Sequence, residues 1–167
     1  MHLKRTASYI FLGLITLIPQ VSLAALEVVF EETPLFLEAN LMPGDAIART
    51  VEVTNTGTET ETVRFDFLNV SPGSLADETE LAVAEAGPTL VFDTFTNLFA
   101  GGPYDLGDIT PGETKLYTFS AGLPSSVGND QQNEWFSFDL VIGWSDDQQV
   151  VDRRSRSGGG GTQTLQL

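Results

Sequence analysis

Residues 134–144, Glu-Trp-Phe-Ser-Phe-Asp-Leu-Val-Ile-Gly-Trp, alternate without a break. Phe136, Phe138, Leu140, Ile142 and Trp144 fall on one side, and Trp135, Ser137, Asp139, Val141 and Gly143 on the other. Successive side chains of a strand point to opposite faces, so this is a long β-strand with one fully apolar face. That face has to be covered by a second layer. Similar strands precede it, and no amphipathic helix of ordinary length lies between them. The chain is therefore expected to close sheet on sheet.

The preceding strands follow from the same period. In 25–32, Leu26, Val28 and Phe30 share a face, with Glu27 and Glu31 opposite. Leu35, Leu37 and Ala39 then alternate with Phe36, Glu38 and Asn40. Further strands are expected at 47–54, 62–70, 89–95 and 115–121, with a short one around Leu81 and Val83. Turns fall at Met42-Pro43-Gly44-Asp45, Pro72-Gly73, Gly101-Gly102-Pro103 and Thr110-Pro111-Gly112-Glu113, by the usual roles of Pro and Gly. Asn55-Thr56-Gly57-Thr58 reads as a hairpin turn, and Ser74 as the cap of one helical turn over Leu75-Ala76-Asp77-Glu78. The fold class is all-β: a jelly-roll or immunoglobulin-like Greek-key sandwich of about seven to eight strands. The two Pro-Gly-acid turns echo each other, and the simplest account is that this is a common way to turn into a strand.

The ends of the chain suggest a compartment. Residues 1–24 have the layout of a secretory signal peptide: basic Lys4 and Arg5, an apolar run from Tyr9 to Ile18, and Ser22-Leu23-Ala24 at the cleavage position. The apolar run is short for a spanning helix, which needs about 20 residues. Contact with a membrane is expected only through this segment before cleavage. The segment 25–33 would then open the exported chain, 34–145 would form the sandwich, and 146–167 a flexible, polar, Gly-rich tail. The expected location is outside the cell or at its surface.

Charge and cysteine content narrow the chemistry. The formal net charge is −15, with 23 acidic residues, all beyond Ala24. Beyond that point the basic residues are only Arg49, Arg64, Lys115, Arg153, Arg154 and Arg156. Phosphate binding needs Lys and Arg, so nucleic acid is not an expected partner. There is no cysteine, so an exported domain of this sequence relies on its core or on neighbours rather than on disulfides. The single histidine, His2, lies in the leader. Imidazole-ligated zinc and Ser-His-Asp or Cys-His catalysis are thereby excluded from the exported chain, and the chain is read as no enzyme and without cofactor. Asp77, Glu78 and Glu80 form the densest acidic run within the fold. They are a weak Ca²⁺ candidate without the spacing of an EF-hand loop; a solvated loop is the alternative. Trp135 is the better of the two tryptophans for an exposed contact, and Asn69-Val70-Ser71 matches a glycosylation sequon.

Two groups of residues carry a resemblance. The first is Asn40-Leu41-Met42-Pro43-Gly44-Asp45 followed by Val51-Glu52-Val53-Thr54-Asn55-Thr56-Gly57. The second is 108–113, Tyr117-Thr118-Phe119 and Phe136-Ser137-Phe138-Asp139-Leu140. In this order they resemble the TasA/camelysin family of secreted proteins that build matrix fibres. The resemblance implies a homopolymer formed by donor-strand exchange, with other matrix or cell-surface components as further candidate partners. In that reading Leu26, Val28 and Phe30 are the donor face, because a free apolar strand and an open sheet edge both gain by pairing. The alternatives are that the segment folds back onto its own domain, and that the protein is a monomeric immunoglobulin-like adhesion or ligand-binding module.

Overall fold

The computed structural model describes residues 26–38, 41–128, 131, 133–144 and 162–166. Residues 1–25 and 145–161 lie outside the described residues, and with them the expectations for a signal peptide at 1–24 and for most of the tail.

Ten strands and two short helices follow in the order β1 (Leu26–Phe30), β2 (Leu37–Glu38), β3 (Ala46–Asn55), β4 (Glu61–Ser71), α1 (Leu75–Glu78), β5 (Glu80–Glu85), β6 (Thr89–Thr94), α2 (Phe95–Ala100), β7 (Tyr104–Ile109), β8 (Thr114–Gly122), β9 (Trp135–Trp144) and β10 (Thr162–Gln166). One sheet is ordered β1-β3-β8-β5-β6 and the other β2-β10-β9-β4-β7. Neighbours are antiparallel except β2 and β10, which run parallel. Strands β1, β3, β8 and β5 occupy the places A-B-E-D of an immunoglobulin sandwich, and β4, β9 and β10 the places C-F-G. The expected fold class is the one found. Strands β6, β7 and β2 are additions flanking D, C and G.

The core is filled by the alternation already visible in the sequence. Val51 and Val53 of β3, Tyr117 and Phe119 of β8, Val63, Phe65 and Phe67 of β4, and Phe136, Phe138 and Leu140 of β9 are buried between the sheets. Helix α2 closes one region of this core: Phe95 stands 4.9 Å from Phe136 and Phe99 5.2 Å from Phe67, ring centre to ring centre. Edge-to-face and tilted pairs at these separations add attraction beyond area burial.

Two expectations are corrected. The turn at 55–58 does not join a hairpin, because β3 and β4 belong to different sheets. Asn55 is fully buried, and its amide nitrogen donates to the carbonyls of Glu59 (2.7 Å) and Ile109 (2.9 Å) while its Oδ1 accepts from Gly57 (2.9 Å). These bonds steer the chain across the sandwich instead of back along β3. Residues 162–166, expected in a flexible tail, form β10, seated between β9 and β2. An unpaired strand edge favours capture of any segment able to extend, and Thr-Gln-Thr-Leu-Gln has the β-branched content to do so.

The echoing turns sit at opposite ends of the β3–β8 pair. Gly44 N donates to Leu123 O (2.7 Å) and Leu123 N to Asp45 O (2.9 Å). At the other end Gly112 N donates to Asn55 O (2.8 Å) and Asn55 N to Glu113 O (3.0 Å). Gly44 and Gly112 take φ of +93° and +76°, the left-handed region that glycine enters without penalty. The sequence echo is thus a local two-fold symmetry of the ribbon at the middle of one sheet.

Candidate functional site

The residues singled out as a donor face are found in β1, which among the described residues is an edge strand with one neighbour. Leu26, Val28 and Phe30 are half-buried against the core, while Glu27 and Val29 face solvent. Register runs Leu26↔Asn55, Val28↔Val53, Phe30↔Val51. The segment is therefore folded back on its own domain. Beyond Phe30 the chain is exposed at Glu31, Glu32 and Thr33, and it is anchored again only by buried Leu35 and Phe36.

The end of β1 is gripped from two sides. Glu31 N donates to Thr50 O at 3.0 Å. The Glu31 carboxylate in turn accepts from Thr50 N at 2.7 Å and Thr50 Oγ1 at 3.0 Å. The carboxylate thus serves an amide of β3 where the β1 strand ends. Glu32 Oε2 lies 3.3 Å from Arg49 Nε. The hydrogen bonds from Thr50, helped by the nearby Arg49 charge, hold the Glu31 carboxyl below its ordinary value of 4.5.

The opposite edge of the same sheet is β6. Phe92 is 61% exposed and Leu90 40%, and among the described residues no strand pairs with the outer side of β6. Pro88 precedes it, and the strand itself contains neither Pro nor Lys, the usual guards of an edge.

The acidic candidates do not converge. Asp77 and Glu78 lie in α1 and Glu80 in β5; the Asp77 carboxylate accepts from Thr96 Oγ1 at 2.5 Å. Among the described residues no three such side chains gather as a metal site would require. Ser74 stands at the cap position of α1, but its hydroxyl donates to Gln131 Oε1 at 2.9 Å instead of capping the helix. Trp135 is 47% exposed, on the solvent side of β9. Asn69 is exposed at positive φ, and its amide donates to Asp139 Oδ2 at 2.6 Å. The three basic side chains of the described residues each meet a carboxylate: Arg49 with Glu32, Arg64 with Asp105, Lys115 with Glu85.

Glu31, Thr50 and the β6 edge were not anticipated as functional features. The β6 signal was present, since Leu90 and Phe92 alternate in a strand after Pro88. The pairing of Glu31 with a residue 19 positions away has no local signature.

No protein-family model matches the chain, and no curated protein is significantly similar to it in sequence. Several solved structures share the general arrangement at a distance. A family 123 glycoside hydrolase from Clostridium perfringens has 6% identity and a TM-score of 0.40, over 75% of this chain and 25% of that one. The chain therefore spans about a quarter of that hydrolase's length. An ASH/PapD-like domain of human CEP192 has 10% identity and a TM-score of 0.33, over 83% of each chain. The CARDB domain of PF1109 from Pyrococcus furiosus has 13% identity and a TM-score of 0.28, over 85% of this chain and 89% of that one. At these values the likenesses say nothing of activity or partner.

Proposed function

We propose that the protein is an exported, non-enzymatic structural subunit of an extracellular fibre or matrix, in which copies exchange β1. The observation that carries this reading is the position of β1. It is a five-residue edge strand with an apolar face, joined to the body by the exposed residues Glu31, Glu32 and Thr33. Its release would open the edge of β3, and the β1 of a second copy would fill it with the same side chains. Exchange of an identical element is a low-cost route to assembly. The resemblance of the two Pro-Gly-acid blocks and of 136–140 to the TasA/camelysin family supports the reading, as does the leader-like segment 1–24. The proposal of no enzymatic activity rests on the exported chain lacking His and Cys.

A second reading is favoured by β1 being paired in its own domain. A sandwich complete in itself suits a monomeric surface module, with exposed Trp135 as a contact. Electron microscopy of the chain and of a variant lacking 25–32 separates the two. Fibres from the full chain and folded, non-polymerising protein from the variant are expected. Equal fibre formation by both would overturn strand exchange, and a full chain that stays monomeric across salt and pH would support the surface module.

A further inference from the structure

We propose that Glu31, backed by Glu32, forms an acid-sensitive clasp at the hinge of β1. The clasp governs how fast the strand is released for exchange and leaves the final balance of closed and exchanged forms unchanged. The first half stands on the geometry alone; the second half rests on the strand-exchange reading.

The clasp lies at the hinge end of the strand. Fraying from Leu26 does not undo it; release requires Thr50 N and Oγ1 to lose the Glu31 carboxylate. Hydrogen bonds to an ionised acceptor are stronger than those to a neutral one, so protonation weakens the grip. The surrounding charges are few. On the Glu31 face stand Glu27 of β1 and, diagonally across on β3, Glu52; on β8, Thr118 lies beyond Thr50 and is neutral. On the other face Arg49 meets Glu32. From the facing sheet, β9 presents Phe136, Phe138 and Leu140, all uncharged. Glu27, four residues back along the strand, and Glu52 are both exposed and screened by solvent, and the bonds from Thr50 outweigh the slight desolvation of the carboxyl that opposes them.

The direction follows from linkage. In the closed form Glu31 titrates below 4.5; in a released strand it returns to about that value. The clasp is at full strength above 4.5 and is lost as the pH falls through the lowered value. Within that window, opening rises by up to about tenfold per pH unit. In an exchanged assembly the incoming Glu31 meets the same Thr50. The proton linkage therefore cancels between closed and exchanged forms and remains only in the open form between them. Through Glu31, acid then acts on the rate alone.

Hydrogen exchange on dilute, monomeric protein tests the clasp directly. Protection of 26–32 and of the Thr50 amide is followed from about pH 7 to about pH 3, corrected for intrinsic rates. Wild type should lose protection there more steeply than in β8 and β9. Glu31→Gln should start with lower protection and follow a flat profile, while Glu27→Gln keeps the wild-type one. A Glu31→Gln profile as steep as wild type overturns the clasp. Mixing copies tagged with donor and acceptor fluorophores tests the coupling: exchange should quicken in the same window more than in Glu31→Gln, to an end point with the same pH dependence as that variant's. An end point that moves with pH in wild type and not in Glu31→Gln overturns the rate-only role. No exchange at any pH removes the strand-exchange reading and leaves the clasp to the hydrogen-exchange result.

Discussion

Asn55 shows how one polar residue decides a topology. It is fully buried and satisfied on every side, with its backbone tied to Gly112 and Glu113 and its side chain to Gly57, Glu59 and Ile109. Local reasoning makes Asn-Thr-Gly a hairpin turn; the burial of the asparagine makes it a crossing between sheets. Replacing Asn55 with Ala strands the Ile109 carbonyl in the interior and leaves the half-buried Gly57 amide to solvent. The expected loss is roughly 1–3 kcal/mol, the cost of one orphaned buried group, and urea denaturation measures it. Glu113 makes a smaller, exposed version of the same kind of tie. Its carboxylate accepts from Thr110 N and Oγ1, both at 2.8 Å, and these bonds hold it below its ordinary value of 4.5. A lowered folded-state value means stability that is present above 4.5 and lost as the pH falls through the lowered one. Glu113→Gln should therefore be less stable than wild type at neutral pH and lose less on acidification. Denaturation midpoints from neutral pH down to below 4 check this, and equal pH slopes for the two proteins would refute it.

At the scale of elements, strands with an apolar face at period two were legible, the edge strands β1 and β6 among them, and β7 and β10, which lack a clear one, were not. The expected 47–54, 62–70 and 115–121 fall inside β3, β4 and β8, because buried Val, Phe and Tyr recur there at period two. The site was half legible for the same reason. The Leu26/Val28/Phe30 face follows from alternation, while its partner β3 and the Glu31 grip depend on chain folding that no local pattern encodes. Helix α2 was missed although its sequence allows it: Phe95, Leu98 and Phe99 share one helical face, and Thr94 provides the cap. The β-branched run before it masked the change of period. Strand β7 was hidden by Gly107, and β10 by the glycine tract before it. The unguarded edge β6 leads to a further prediction. Phe92→Lys should leave stability within about 0.5 kcal/mol of wild type, as exposed substitutions usually do. It should also reduce association at high concentration, because a lysine discourages pairing at a strand edge. Sedimentation velocity decides the point, and unchanged association would show that β6 is not a contact edge.

On the scale of the whole molecule, charge and order of assembly set the behaviour. The chain beyond residue 24 is strongly acidic, and its three basic side chains among the described residues are each matched to a carboxylate. The surface thus repels polyanions, and without cysteine the stability of the fold is left to the buried aromatic layer. The sheet orders carry a consequence in time. Strand β8 separates β3 from β5, and β9 with β10 separates β4 from β2, so the last strands along the chain are the inner strands of both sheets. A chain ending before Thr114 holds β1 on β3, β6 on β5 and β7 on β4, three two-stranded fragments with no shared layer. Such pairs are marginal in water. The fragment 25–113 should accordingly show no cooperative thermal transition by circular dichroism, whereas the full chain should. A cooperative transition in the fragment would mean that the two-fold ribbon of β3 and β8 is not what completes the fold. If it is, a polypeptide threaded N-terminus first through a narrow channel reaches the far side still pliable, and sets only as its last strands arrive.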